Sequence, residues 1–274
     1  MALLALPVLA ACGGEESAIP PDAVTVVASS DIGLGSERLL VAVNGADNTR
    51  LGAPEDEVTI EVAPESAPDD VQTAEGEWTW IVEGSHGLYR SQFEFDQPGI
   101  WQATVTPAGG DPLATTVFEV KQDTSAPALG EDAPAAPTPT LDETPIEELS
   151  TDPEPDPTFY EMSLEEALGS GRRTVLVFST PAYCQTATCG PLLDHVKDIA
   201  PDHADVNFIH VEVYTGLLDP DFQPDFAHLA PAAGAEWYAL PSEPWVFLID
   251  EDGRIARRYE GVMDPAELDA ALAG

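Results

Sequence analysis

Apolar residues follow two rhythms along this chain, and the change of rhythm divides it. Up to Val120 they occur as short runs or alternations: Val24–Ala28, Arg38–Val43, Glu57–Val62, Trp78–Val82, Leu88–Phe95, Ile100–Thr106 and Ala114–Val120. Breaks rich in Gly, Pro, Asn and Asp separate them, such as Asn44-Gly-Ala-Asp-Asn48 and Pro107-Ala-Gly-Gly-Asp-Pro112. Strand side chains point alternately to two faces, so such runs read as strands. Seven of them over about 100 residues predict an all-β antiparallel sandwich, residues 22–121. Tyr89, Phe93, Phe95 and Trp101 alternate as core residues would, and Gln97-Pro-Gly-Ile-Trp101 reads as a turn entering a strand.

Beyond Phe159 helical and strand spacings alternate. Val175, Leu176, Val177 and Phe178 form a continuous apolar run, as in a strand covered on both faces, and Pro181 stops it. Then come Cys184-Gln-Thr-Ala-Thr-Cys189-Gly-Pro191, after which Leu192, Leu193, Val196, Ile199 and Ala200 take helical spacing. Val206 to Tyr214 makes a second strand. Ser242 to Ile249, a tight turn at Asp250-Glu-Asp-Gly253 and a return from Arg254 to Glu260 make a hairpin. Asp264 and Pro265 suit the N-cap and first turn of a last helix. A thiol at a helix N-terminus feels the positive end of the helix dipole, which favours the thiolate, the nucleophile of thiol chemistry.

In this order of elements, residues 159–274 resemble the thioredoxin family: helix, strand, cysteine-bearing helix, strand, helix, proline-led hairpin, last helix. The resemblance implies an α/β fold, thiol–disulfide exchange and a cis Pro244 facing the cysteines. It has departures. Four residues separate the cysteines instead of two, Tyr183 stands where a tryptophan is common, and Val177 stands where thioredoxins bury an acid. Two registers compete. Matching Cys189-Gly-Pro191 to the family's Cys-Gly-Pro-Cys puts Leu192 in place of the second cysteine. Matching the strand end makes Cys184 the attacking thiol and Cys189 the resolving one, and Pro191-Leu-Leu-Asp194 then also fits the helix. We adopt the second.

Geometry restricts the pair. Five residues of regular helix turn a side chain through roughly 140° and rise about 7.5 Å. A disulfide needs Cα atoms within about 7 Å. A bridge therefore requires part of Gln185 to Thr188 to leave regular helix. A purely structural disulfide is the competing reading, although so short a loop would stabilise by only about 2 kcal/mol. In that reading the chain is a non-catalytic binding or scaffold protein. A metal held by the pair is a third reading, but zinc wants four ligands and His195 falls in the following helix. No metal and no cofactor are expected. Trp237 and Trp245 flank Pro244 as either an apolar lip for a peptide or core packing. Asp219, Asp221 and Asp225 lie in an insertion between Tyr214 and Leu240 and lack the glycine and distal glutamate of an EF-hand loop.

The N-terminal end changes the setting. Residues 1–11 are apolar and end Leu9-Ala-Ala-Cys12, which resembles a bacterial lipobox, cut before a lipid-bearing cysteine. No basic residue precedes the run, as expected if translation truly starts elsewhere. Cys12 is the expected lipidation site, followed by a tether over residues 12–21. The run is too short to span a bilayer, so a cell-membrane anchor facing the extracytoplasmic side is expected. Three cysteines then reduce to one attachment site and one pair, in a compartment where disulfides persist. The expected partners are exported protein thiols or disulfides.

The sandwich resembles immunoglobulin-like modules but has no cysteine for an inter-sheet bridge, and its ligand is not identified. Residues 122–158 carry eight prolines and ten acidic residues with no Lys or Arg, and are expected to be a disordered, self-repelling linker between independently moving domains. The formal net charge of −40, with Lys121 and Lys197 the only lysines, excludes nucleic acid as a partner. It would also repel anionic lipid heads, so membrane attachment should rest on acyl chains.

Overall fold

The computed structural model describes residues 19–274. The lipobox and Cys12 lie outside the described residues. The N-terminal domain contains the seven expected strands and one short extra strand. They are β1 (Val24–Val27), β2 (Gly35–Asn44), β3 (Arg50–Leu51), β4 (Val58–Pro64), β5 (Gln72–Val82), β6 (His86–Phe95), β7 (Gly99–Pro107) and β8 (Thr116–Val120). The order is β1-β2-β6-β5-β4-β7-β8, with β3 beside β2. Every ladder in it is antiparallel. One path folds into two layers because β5 changes partner: Gln72 to Gly76 pair with β4, and Glu77 to Val82 pair with β6. Gly76 sits at the changeover, where a Cβ would lie 2.5 Å from Val58. The arrangement is consistent with an immunoglobulin-like sandwich. Leu39, Val41, Val43, Ile60, Tyr89, Phe95 and Trp101 fill its core.

The C-terminal domain is built on a four-stranded sheet, β10 (Asn207–Glu212), β9 (Thr174–Ser179), β11 (Trp245–Ile249) and β12 (Ile255–Glu260), in that order. β9 and β10 run parallel, and β11 is antiparallel to both β9 and β12. All six residues of β9 are buried, because its two faces meet different layers. Val175 and Val177 pack with Leu192, Leu193 and Val196 of α3 (Cys189–Ile199) and with Leu268 and Leu272 of α4 (Pro265–Ala273). Leu176 and Phe178 pack with Leu164 and Ala167 of α2 (Leu164–Gly169). Asp264 caps α4, accepting from the Ala266 amide. The helix expected between the second strand and the hairpin does not form: among the described residues that stretch holds only a 3-10 turn, Pro231–Ala233. Its prolines, glycines and aspartates favour turns over helix.

The linker expectation needs correcting. Residues 122–158 form an ordered strap along the C-terminal domain. Ala126, Ala133 and Ala136 enter one core layer, and Leu149, in the helical turn α1 (Ile146–Leu149), enters the other. The amides of Gly130 and Ala133 donate to Ile255 and Gly253 at 2.8 Å, and Ile255 donates back to Glu131 at 2.9 Å, so the strap borders the start of β12. Most of its carboxylates, Asp123, Glu131, Asp142, Glu143 and Glu147 among them, stay in water. Prolines hold a strap extended and alanines let it lie close, and a count of charge and proline registers neither effect.

The two domains are joined by buried ions. The Arg258 guanidinium on β12 donates to Glu37 at 2.9 Å and to the Asp31 backbone carbonyl, and pairs with the Asp31 carboxylate at 3.5 Å. The side chains of Arg258, Asp31 and Glu37 are 4, 0 and 8% exposed. Burial works against ionised Asp31, but Lys121 at 2.7 Å and the Ser125 and Ala126 amides outweigh it and hold the carboxyl below its usual value. Burial dominates at Glu37 and pushes its carboxyl up. Arg38 forms a two-bond pair with Glu267 of α4, both bonds 2.8 Å. Val262, after β12, is buried among Leu40, Ala42 and Leu88. This explains why Leu39-Leu40-Val41-Ala42-Val43 is an unbroken apolar run: both faces of β2 are covered, one by the sandwich core and one by the other domain.

Candidate functional site

β9 delivers the chain to the site. It ends at Ser179, and Thr180 to Thr188 form an irregular loop before α3 begins at Cys189. The loop leaves helical geometry as the spacing of the cysteines demanded: Ala187 has a positive φ of 59°. Cys184 and Cys189 are disulfide-bonded with Cα atoms 5.9 Å apart. Cys189 is fully buried in the first turn of α3, and Cys184 is half-buried at the surface. The Cys189 amide donates to the Cys184 sulfur at 3.3 Å, and the Thr186 hydroxyl lies 3.3 Å from that sulfur. Both contacts place the Cys184 sulfur against the first turn of α3.

The Glu243–Pro244 bond is cis. β11 pairs Trp245 with Phe178, which puts Pro244 at the end of the sheet from which the cysteine loop leaves. The Gly261 amide donates to the Pro244 carbonyl at 2.9 Å. Trp245 is core, stacked on Phe247 with ring centroids 5.6 Å apart, while Trp237 is exposed. Among the described residues no group of three or more His, Cys, Asp or Glu is arranged to hold a metal.

The residues from 160 to 273 match the family model of a thioredoxin-like domain. This C-terminal unit is a thioredoxin-like domain. The match covers less than half of the chain and leaves the sandwich unassigned. No curated protein matches the chain. Among solved structures, the sensor domain of the anti-sigma factor RsgI4 from Pseudobacteroides cellulosolvens aligns with 38% of this chain and 99% of its own at 10% identity, with a TM-score of 0.26. A score that low carries no structural argument.

The thioredoxin-like domain adds a buried carboxyl that strand reading missed. Glu212 ends β10 and accepts from the Thr151 amide at 2.9 Å and from its hydroxyl at 2.6 Å. The same Thr151 oxygen accepts from the Ala182 amide at 3.1 Å, so the strap ties Glu212 to the loop carrying Cys184. Nearby, buried His210 lies between the Tyr160 hydroxyl at 2.6 Å and the Ser179 hydroxyl at 2.8 Å, and burial lowers its pKa to about 4. The available signal was Ile209-His-Val-Glu-Val213, two ionisable residues within an apolar strand.

Burial raises the Glu212 carboxyl above its usual 4.5, with the Thr151 bonds opposing. A raised carboxyl favours the fold when protonated. That contribution is complete below the unfolded value and fades as pH climbs through the folded one. Glu212→Gln keeps an oxygen for Thr151 and removes the charge. Its stability relative to the native chain should therefore improve as pH rises from about 4 to 8. Urea midpoints across that range measure this, and a pH-independent difference would refute it.

Proposed function

We propose that the chain is a lipid-anchored extracytoplasmic thiol–disulfide oxidoreductase acting on exported proteins. One observation carries the reading: a disulfide at a helix N-terminus of a thioredoxin-like domain, with one sulfur half-exposed and the other buried. In the oxidised form a substrate thiolate attacks the Cys184 sulfur. A substrate–Cys184 bond forms, the Cys184–Cys189 bond breaks and Cys189 leaves as thiolate. A second substrate thiolate then attacks the substrate sulfur of the mixed disulfide and releases Cys184 as thiolate. The substrate is oxidised and the pair reduced. In reverse, the Cys184 thiolate attacks a substrate disulfide and Cys189 resolves the mixed species. The pair's potential relative to its compartment sets the direction. Pro244 would flank the substrate backbone, and Cys12 would carry the anchor.

The test is entrapment. Cys189→Ser, expressed with its own leader, should accumulate a covalent adduct with exported proteins that migrates faster after reduction. An absence of adducts, together with a potential below about −300 mV, would make the bridge structural and the protein a scaffold.

A further inference from the structure

The loop between β10 and the Pro231–Ala233 turn stands beside the cysteine loop. Residues Tyr214 and Leu229 bridge its base, and the Thr215 amide donates to the His228 carbonyl at 2.7 Å. Phe222 turns inward, its ring 5.0 Å from that of Tyr183, the residue before Cys184. Two other apolar residues of this loop do the opposite: Phe226 is 95% exposed and Leu218 60% exposed. Side chains of this size gain by leaving water, and here that gain is unused. Single exposed apolar residues are ordinary. Here two lie on one loop, which Phe222 braces against Tyr183 beside the disulfide.

Charge says what fits it. From Tyr214 to Pro244 there are five acidic residues, three of them (Asp219, Asp221 and Asp225) in this loop, and no Lys or Arg. With a formal net charge of −40, a second copy of the chain is repelled. We propose that this loop is a docking surface for cationic, apolar-containing segments of unfolded polypeptide, held so that their cysteines reach Cys184. Leu218 and Phe226 take the apolar side chains, and the aspartates steer the positive ones. The idea rests on the exchange reading for its purpose but not for its measurement.

The probe is a labelled, cysteine-free peptide rich in Arg, Lys and Phe, with a partner in which Glu replaces the basic residues. Anisotropy should show the full chain binding the cationic peptide, more weakly as salt rises, and not the acidic one. Leu218→Ser/Phe226→Ser should weaken binding about tenfold, and dithiothreitol should still reduce the Cys184–Cys189 bridge at the native rate. Equal binding of both peptides, or undiminished binding by the double variant, overturns the proposal. So does loss of zwitterionic vesicle binding in place of peptide binding, which would make the loop a membrane contact. If peptide binding behaves as expected while Cys189→Ser traps nothing, the surface stands and the exchange activity falls.

Discussion

Replacing Arg258 with alanine is expected to cost the chain about 3–5 kcal/mol, the penalty for leaving buried charge without its partner. The loss should fall on the junction between domains, because Arg258 belongs to the thioredoxin-like sheet and Asp31 and Glu37 to the sandwich. Asp31 keeps Lys121 and two amides, so Glu37 is the group left exposed to the full penalty. Without the guanidinium its carboxyl, already pushed up, rises further, and the variant should regain stability as pH falls and Glu37 takes a proton. Adding Glu37→Gln should recover part of the loss at neutral pH. Urea unfolding followed by tryptophan emission should show one transition becoming two. A change below about 1 kcal/mol would mean that the ions do not hold the domains together.

The second large effect concerns Cys184. Cys184→Ser should lower exchange with a model protein disulfide by at least about a thousandfold, as expected for loss of a nucleophile. Both cysteine variants lose the bridge, about 2 kcal/mol, and Cys189→Ser in addition buries a hydroxyl where a sulfur was. Stability therefore does not report on the two chemical roles, but trapping does. Cys189→Ser should still form a mixed disulfide, and Cys184→Ser should form none. If the two behave alike, the roles given to the half-exposed and buried sulfurs are wrong.

Much of the fold was legible because it rests on local pattern. Alternation located the sandwich strands, and Val175 to Phe178 showed a strand covered on both faces. Asp264 and Pro265 marked the start of α4 to the residue. The spacing of Cys184 and Cys189 even required the loop to abandon helix, which Ala187 does. What escaped was contact between distant segments. Acidic residues and prolines hid Ala126, Ala133, Ala136 and Leu149, whose burial depends on a surface that composition does not describe. Arg258 and Glu37 are 221 residues apart, and nothing near either names the other. Thr151 looks like any polar residue until the fold sets it between Glu212 and Ala182.

The strap occupies the outer edge of β12 where that strand begins: the Gly130 amide donates to the Ile255 carbonyl and the Ile255 amide donates to the Glu131 carbonyl. At that position an incoming polypeptide cannot lengthen the sheet by pairing its own backbone.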